Sequence, residues 1–530
     1  MRPTRTTPDR TTPDRTTPDR TTPDRTTPDR TTGPSDRRGF FTAPTVLRSM
    51  SDPFVVVGAD AAGLSAASKF RREAPDREVV VFEKGQWISY AYCGMPYFIE
   101  GRVERMSNLL SLSPSEVDER GIDLRRGHEV VAVDPDAKAV TVATADGERI
   151  EQPYGDLLVA TGGRATTGSF DVRGLDGAFT LHDMDAAAAI DAYVADPAEY
   201  DPDRADVSAV DRERVERNAA MDAPETAAIV GGGYVGVEMA EALTERGLDV
   251  HLFHRSGHLL SDFGAAVGER VEEALAERGV TVHTNAPVDA IVGDDLVEAI
   301  AYGQEGEDGD NLTLAVDMAV VGVGIRPNTD LLDGTGVDLG EGGAVRTDEY
   351  GRTTLPDVYA AGDCATARHA VTGEDAWMPL GLTANRAGRA IGATAAGDPT
   401  PVGDIAATAV VKAFDMEAGR AGILDDTAAR EAGFDPVRET VTAGSRSGYY
   451  PGAAATDVTL VADRDTGRLL GGSISGPDRA AVRIDTVATA LEADMTVGEV
   501  ERLDLAYAPP FSPVWDPILV AAKVLNGSVE

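Results

Sequence analysis

One local pattern occurs twice in this chain, and few folds can accommodate it twice: a short apolar strand, a glycine-rich turn, then a helix. The first copy is Phe54-Val55-Val56-Val57 followed by Gly58-Ala59-Asp60-Ala61-Ala62-Gly63, with a helix expected from Leu64 to about Arg72. A second strand, Val79-Val80-Val81-Phe82, ends at Glu83. This arrangement binds a dinucleotide. Gly58 makes the tight turn, Gly63 lets helix and strand approach, the helix N-terminus faces a pyrophosphate, and Glu83 is placed to hold ribose hydroxyls. Asp60 stands where the middle glycine is usual. Lys84 is grouped with this cofactor loop and needs no catalytic role.

The second copy runs Ala227-Ala228-Ile229-Val230 into Gly231-Gly232-Gly233-Tyr234-Val235-Gly236, then a helix expected over 237–246 and the strand Val250-His251-Leu252-Phe253. All three glycines, Gly231, Gly233 and Gly236, are in register. The acidic residue expected after the strand is missing, and His254-Arg255 occupy that corner. An acid there binds a free 2′-hydroxyl, whereas Arg255 can hold a 2′-phosphate, which favours NADPH and leaves NADH possible. Arg255 as an ordinary solvated loop arginine is the competing reading.

Between the copies, Asp156-Leu157-Leu158-Val159-Ala160-Thr161-Gly162-Gly163 forms a strand leading to a Gly-rich crossover, with Thr161 and Gly162 as cofactor-side residues. Residues 195–223 are rich in Asp, Glu and Arg and read as an exposed insertion without a function. Further on, Tyr359-Ala360-Ala361 reads as a buried strand turning at Gly362-Asp363. Asp363 is suited to hydrogen-bond a ribityl hydroxyl of FAD. From about residue 402 the strands expected over 407–414, 458–462 and 469–474, with helical segments around them, make a third, α/β unit.

The redox residue lies in Ser89-Tyr90-Ala91-Tyr92-Cys93-Gly94-Met95-Pro96-Tyr97. A cysteine soon after a dinucleotide turn reads as a thiol facing a flavin. Cys364 is the only other cysteine, so no closely spaced dithiol exists, and disulfide chemistry must use one thiol and a sulfur brought by the substrate. Cys364, in a tight turn, is expected to be inert packing. A helix N-terminus after Cys93 and the adjacent flavin are expected to lower its pKa. His128, His182 and His369 have no ligand spacing, so no metal site is expected.

The formal charge of −40 in 530 residues, with only five lysines, opposes folding in dilute buffer unless salt screens it. A halophilic, salt-rich cytoplasm is the expected setting. Basic patches for nucleic acid are lacking. No apolar run is long enough to cross a bilayer. The first fifty residues repeat Arg-Thr-Thr-Pro-Asp and carry too little apolar surface for a core, so 1–50 is expected to be disordered. Arg37-Arg38-Gly39-Phe40-Phe41 resembles a twin-arginine signal, but Arg48 and Asp52 interrupt any apolar segment behind it. We expect Met50 to be the true start.

Two dinucleotide folds, the Thr353-to-Asp363 element and a terminal α/β unit together resemble the flavoprotein disulfide reductases over about residues 53–530. The single Cys93 in Cys-Gly-Met-Pro-Tyr is similar to the coenzyme A disulfide reductase and NADH oxidase branch. The resemblance implies an α/β fold with two Rossmann-like domains: FAD-binding over 53–165 and 331–398, NAD(P)-binding over 166–330, and a dimerisation domain over 402–530. It implies FAD and NADPH or NADH as cofactors, a homodimer, and a low-molecular-weight disulfide, first among them coenzyme A disulfide, as substrate. An oxidase or a persulfide or polysulfide reductase on the same scaffold is the alternative. Single-cysteine peroxidases and oxidases place a histidine where this chain has Ala61. Gly448-Tyr449-Tyr450-Pro451 and Leu505-Ala506-Tyr507-Ala508-Pro509 resemble C-terminal elements whose tyrosines reach the partner's site, which makes Tyr507, then Tyr450 and Tyr449, catalytic candidates. Ser445-Arg446-Ser447 and Trp515 depart from the family pattern, and the rhodanese domain that some persulfide-reducing relatives carry is not expected here. Arg71, Arg72 and Arg102 are candidates for the phosphates of coenzyme A by proximity in sequence.

Overall fold

The computed structural model describes residues 52–303 and 312–529. The repeats and Met50 lie outside the described residues.

The strand Phe54–Val57 sits in the middle of a five-stranded sheet, paired in parallel with Val79–Glu83 on one side and Asp156–Val159 on the other. Asp123–Arg126 and Val358–Ala360 complete the edges. Every residue of Phe54–Val57 is buried, as a parallel strand covered on both faces must be, which explains its unbroken apolar run. One cover is the helix Ala61–Glu73, which crosses the helix Gly381–Ala395 at very short range. A Cβ at Gly388 would lie 2.1 Å from the Ala62 carbonyl oxygen, and one at Gly392 would lie 2.4 Å from that of Ala66. Only glycine permits that crossing.

The second sheet repeats the plan, in the order Thr281–His283, Asp249–Phe253, Thr226–Val230, Met318–Val321, Ala178–Phe179, all parallel. Both turn-following helices begin earlier than expected, at Ala61 and at Tyr234 rather than at Leu64 and Val237. The physical reason is the last glycine of each turn, which lies inside the first helical turn. A Cβ at Gly63 or Gly236 would sit 1.9 or 1.8 Å from the carbonyl oxygen of Gly58 or Gly231.

Residues 195–223 are exposed along much of their length, yet they are anchored. Val215 of the short helix Arg212–Ala219 is buried, and Arg204 pairs with buried Asp191 at 2.9 Å.

The C-terminal unit is a five-stranded antiparallel sheet in the order Ala409–Ala413, Met416–Gly422, Leu469–Gly476, Ala455–Asp463, Pro436–Gly444. The helices Ala480–Glu492 and Pro517–Val529 cover it. It is fastened to the helix Tyr234–Glu245 through buried Glu241, which pairs with Lys412 and accepts the Phe414 backbone N–H at 2.9 Å. Among the described residues no helix is long and apolar enough to cross a membrane.

Candidate active site

Both glycine turns are closed behind and open in front. A Cβ at Gly58 (φ +107°) would lie 2.2 Å from the Ala160 carbonyl oxygen, and one at Gly231 (φ +114°) 2.3 Å from that of Gly322. At Gly162 and Gly233 a Cβ would meet no heavy atom within 4 Å. Neither the helix at Ala61 nor that at Tyr234 has a side-chain N-cap hydrogen bond, although the Asp60 carboxylate engages the Ala61 N–H. Glu83 stands beside the first turn, its Oε2 accepting from Ala59 N at 3.0 Å and its Oε1 from Gly85 N at 2.8 Å. Open backbone N–H groups beside a fixed carboxylate are the donor set a dinucleotide needs, and the residues present therefore fit one at each turn. Lys84 is exposed, pointing to no role beyond the loop.

The crossover is locked by a residue the sequence did not flag. Asn328 Nδ2 donates to the carbonyls of Thr161 (3.0 Å) and Gly163 (2.8 Å), while Thr161 Oγ1 donates to the Asn328 carbonyl at 2.5 Å. Asp363 is half-buried; burial pushes its carboxyl up and His182 opposes this. The Trp377 indole fixes the same turn, donating to the Asp363 carbonyl at 2.9 Å.

Cys93 is exposed, on the short 3-10 turn Tyr92–Gly94 that leads into the helix Met95–Glu100. The helix N-terminus alone does not lower its pKa. Crowding by surrounding protein pushes the thiol up despite its surface exposure, and the Glu238 and Asp363 carboxylates push the same way. The helix is only six residues long, too short to counter two carboxylates. Glu238, unmarked in the sequence, is pushed to about 7, first by burial and then by Glu241, against a hydrogen bond from Tyr97 and the charge of Lys412. Tyr97 Oη donates to Glu238 Oε1 at 3.3 Å.

Tyr507, Tyr449 and Tyr450 lie on one surface of the C-terminal unit, 49%, 77% and 37% exposed. Tyr507 is hydrogen-bonded to Tyr449 and Ser447. Arg446 stacks 6.0 Å from the Tyr450 ring centroid and pairs with Asp478. Among the described residues no hydrogen bond joins this cluster to Cys93 within one chain. Arg255 is exposed beside His254, whose Nδ1 accepts from Gly232 N at 3.1 Å and so supports the second turn.

A cavity of about 490 Å³ opens beside the first turn, bounded by Asp60, Ser65 and Ser89 and carrying Arg72, Arg120, Arg386 and Arg389. Of the three arginines singled out by sequence position, only Arg72 lines it. Arg71 is spent on the Pro75 and Arg77 carbonyls, and Arg102 on Glu100. The others come from distant segments that only the fold brings together. Cys364 is fully buried, its thiol donating to the carbonyls of Val159 (3.4 Å) and Ala361 (3.3 Å).

Comparison with known proteins agrees with this geometry. Residues 52–393 match the pyridine nucleotide-disulphide oxidoreductase model, and residues 408–517 match the dimerisation domain of the same family. The NAD(P)H coenzyme A polysulfide/persulfide reductase of Pyrococcus horikoshii is 35% identical over 481 residues, covering 90% of this chain and 99% of that protein. The coenzyme A disulfide reductase of Staphylococcus haemolyticus is 29% identical over 461 residues, covering 86% and 96%. The solved NAD-dependent persulfide reductase from A. fulgidus superposes with a TM-score of 0.80 at 30% identity, covering 90% of this chain and 83% of that one.

Proposed function

The chain belongs to the pyridine nucleotide-disulphide oxidoreductases, and from that premise we propose that Cys93 reduces the sulfur–sulfur bond of a phosphate-bearing thiol, coenzyme A disulfide first. The enzyme is an FAD-dependent NAD(P)H:disulfide oxidoreductase. What carries the finer reading is the arginine-lined cavity beside the first turn. Of its four arginines, Arg120 donates to Ser68 Oγ and Arg386 to the Asp404 carbonyl, while the exposed Arg72 and Arg389 give a chain of net charge −40 a local concentration of positive charge suited to a polyanion such as a phosphate-bearing thiol.

Bound FAD supplies the two-electron link between a reduced nicotinamide and sulfur. The chain supplies the thiol, the orientation and the proton handling. Cys93 as thiolate attacks one sulfur of the substrate; a Cys93–substrate disulfide forms, the original bond breaks, and the departing sulfur leaves with the electron pair. Tyr507, held by Tyr449 and Ser447, donates a proton or hydrogen bond to that sulfur in the partner subunit of a homodimer. Glu83, Thr161, Gly162 and Asp363 line the FAD side, and Gly231, Gly233, Gly236 and Arg255 the nicotinamide dinucleotide side, with NADPH preferred. The strong negative charge supports a salt-rich cytoplasm as the working environment.

A persulfide on the same thiol carrier is the second reading, favoured by the names of the relatives above; Ala61, which leaves no imidazole at the first turn, argues against peroxide chemistry but not against a persulfide. Anaerobic single-turnover reoxidation of the NADPH-reduced enzyme in molar salt separates the two. Fast reoxidation by coenzyme A disulfide but not cystine supports the leading reading; reoxidation only by polysulfide or oxygen sinks it.

A further inference from the structure

Cys93 and Tyr97 are one helical turn apart, and Tyr97 Oη reaches across to Glu238 at 3.3 Å. That hydrogen bond ties the redox thiol's segment to the helix after the second glycine turn. The surrounding charges leave Glu238 poorly compensated. Lys412, the cation of this cluster, is committed to Glu241, one helical turn beyond Glu238, and lies 5.6 Å from the Tyr97 ring centroid. Tyr97 also faces Glu241 and Glu100. Cys93 faces Glu238 and Asp363.

We propose that Glu238, held by Tyr97, is the positioning residue that sets when Cys93 becomes a thiolate. This rests on Cys93 being the reactive thiol. An ionised carboxylate facing the sulfur disfavours the thiolate, and a protonated one does not. Loss of the Glu238 proton therefore makes the Cys93 thiolate harder to form. Burial and Glu241 raise Glu238 to about 7, so the carboxyl holds a proton in the range where the enzyme must present a thiolate. The proton on Glu238 comes from water and returns to it, and no bond forms at the carboxyl. Tyr97 limits the effect, because its hydrogen bond favours the ionised carboxylate. The absence of a histidine at Ala61 thus does not leave Cys93 without a titrating neighbour.

The test is the pH profile of iodoacetamide alkylation at Cys93 in the FAD-loaded enzyme, reduced with dithiothreitol, desalted, and read by mass spectrometry of the Cys93 peptide. In Glu238→Gln the profile moves to lower pH; a midpoint lower by about 0.5 in pH makes alkylation roughly threefold faster at neutrality. In Tyr97→Phe it moves the same way but less, since Glu238 then keeps its proton to higher pH. Bound FAD absorbance and thermal melts verify that both variants fold, and Glu238→Asp should return the profile toward wild type. A Glu238→Gln profile superimposable on wild type overturns the proposal, as does a Tyr97→Phe profile displaced to higher pH. Neither result depends on substrate. Full turnover in Cys93→Ser, by contrast, would sink the disulfide reductase reading and leave the alkylation result standing.

Discussion

Arg483, partly buried, and Asp516, buried, form an ion pair, with the guanidinium Nε 3.1 Å from the carboxylate Oδ2. The same guanidinium donates to the backbone carbonyls of Ser445 (2.6 Å) and Phe511 (3.1 Å), so one side chain clamps both loops that carry Tyr449, Tyr450 and Tyr507. Removing one partner leaves an uncompensated charge, at a cost of about 3–5 kcal/mol. Arg483→Met should therefore lower the melting temperature more than the Arg483→Met/Asp516→Leu double variant does, although the double variant still lacks the hydrogen bonds to both loops. Parallel melts and turnover numbers for the two variants check this: stability should recover in the double variant while turnover stays low.

The two cysteines should separate completely. Cys93→Ser should lose at least about a hundredfold in disulfide-dependent turnover, because serine is a poor nucleophile and cannot form the mixed disulfide. Cys364→Ser should keep turnover and cost stability by about 1 kcal/mol, since the buried thiol's two weak hydrogen bonds to Val159 and Ala361 are replaced by those of a smaller hydroxyl. Steady-state kinetics and denaturant titration of both variants decide it. Turnover abolished in Cys364→Ser would assign that thiol a role its burial argues against.

At the cavity, Arg72 and Arg389 are exposed and come from helices that are packed against each other. Arg72→Ala and Arg389→Ala should each raise KM for coenzyme A disulfide about tenfold, with kcat little changed. Each variant removes one charge-assisted hydrogen bond to phosphate, worth roughly 1.5 kcal/mol. Cystine, which carries carboxylates but no phosphate, should be affected much less. Equal effects on both substrates would move the phosphate-binding groups elsewhere.

Whatever follows from local pattern was legible in the sequence, and whatever follows from assembly was not. Strand–turn–helix order exposed Gly58, Gly63, Gly231 and Gly236, because sterics at a single turn fix those positions. Cys93 stood out because a chain with two cysteines has few candidates. Asn328, which locks Thr161 and Gly163, carries no motif; its role exists only because the chain returns from the second domain through the strand pair Gly163–Ala165 and Ile325–Pro327. Arg120, Arg386 and Arg389 were invisible for the same reason. Glu238 had a signal that could have been used: it lies two residues past the final glycine of the second turn, on the helix that also carries the buried Glu241. The helix N-terminus beside Cys93 does not lower its pKa because tertiary structure brings the Glu238 and Asp363 carboxylates to face it.

Asp60 should make stability depend on pH in an unusual direction. Burial raises its carboxyl from the ordinary range to about 7, opposed by hydrogen bonds from the Tyr90 backbone and the Tyr92 side chain. The folded state then binds a proton that the unfolded state releases between about pH 4 and 7. This contribution is fully present below about pH 4 and is lost as pH rises through about 7, amounting to a few kcal/mol at roughly 1.4 kcal/mol per pH unit. Asp60→Asn, which cannot ionise, should abolish this loss. Thermal melts of wild type and Asp60→Asn from pH 5 to 8 in molar salt should diverge as pH rises to about 7 and then run parallel, with wild type the less stable. Curves that stay parallel would mean that Asp60 is ionised throughout.

Arg255 offers the clearest handle on nucleotide choice. It is exposed, follows the strand Asp249–Phe253, and adjoins His254, which is itself pushed toward neutrality by burial and by the Arg255 charge. A neutral His254 and a charged Arg255 make a corner that attracts a 2′-phosphate and contains no carboxylate to accept from a free 2′-hydroxyl. Arg255→Ala should raise KM for NADPH about tenfold or more and leave NADH unchanged, because only the pairing with the phosphate is removed. Arg255→Glu should go further and invert the preference, adding repulsion toward NADPH and an acceptor for the ribose of NADH. The comparison belongs in molar salt at fixed ionic strength, since screening weakens an exposed ion pair. If Arg255→Ala raises both KM values equally, the side chain shapes the loop without reading the phosphate, and the preference for NADPH falls with it.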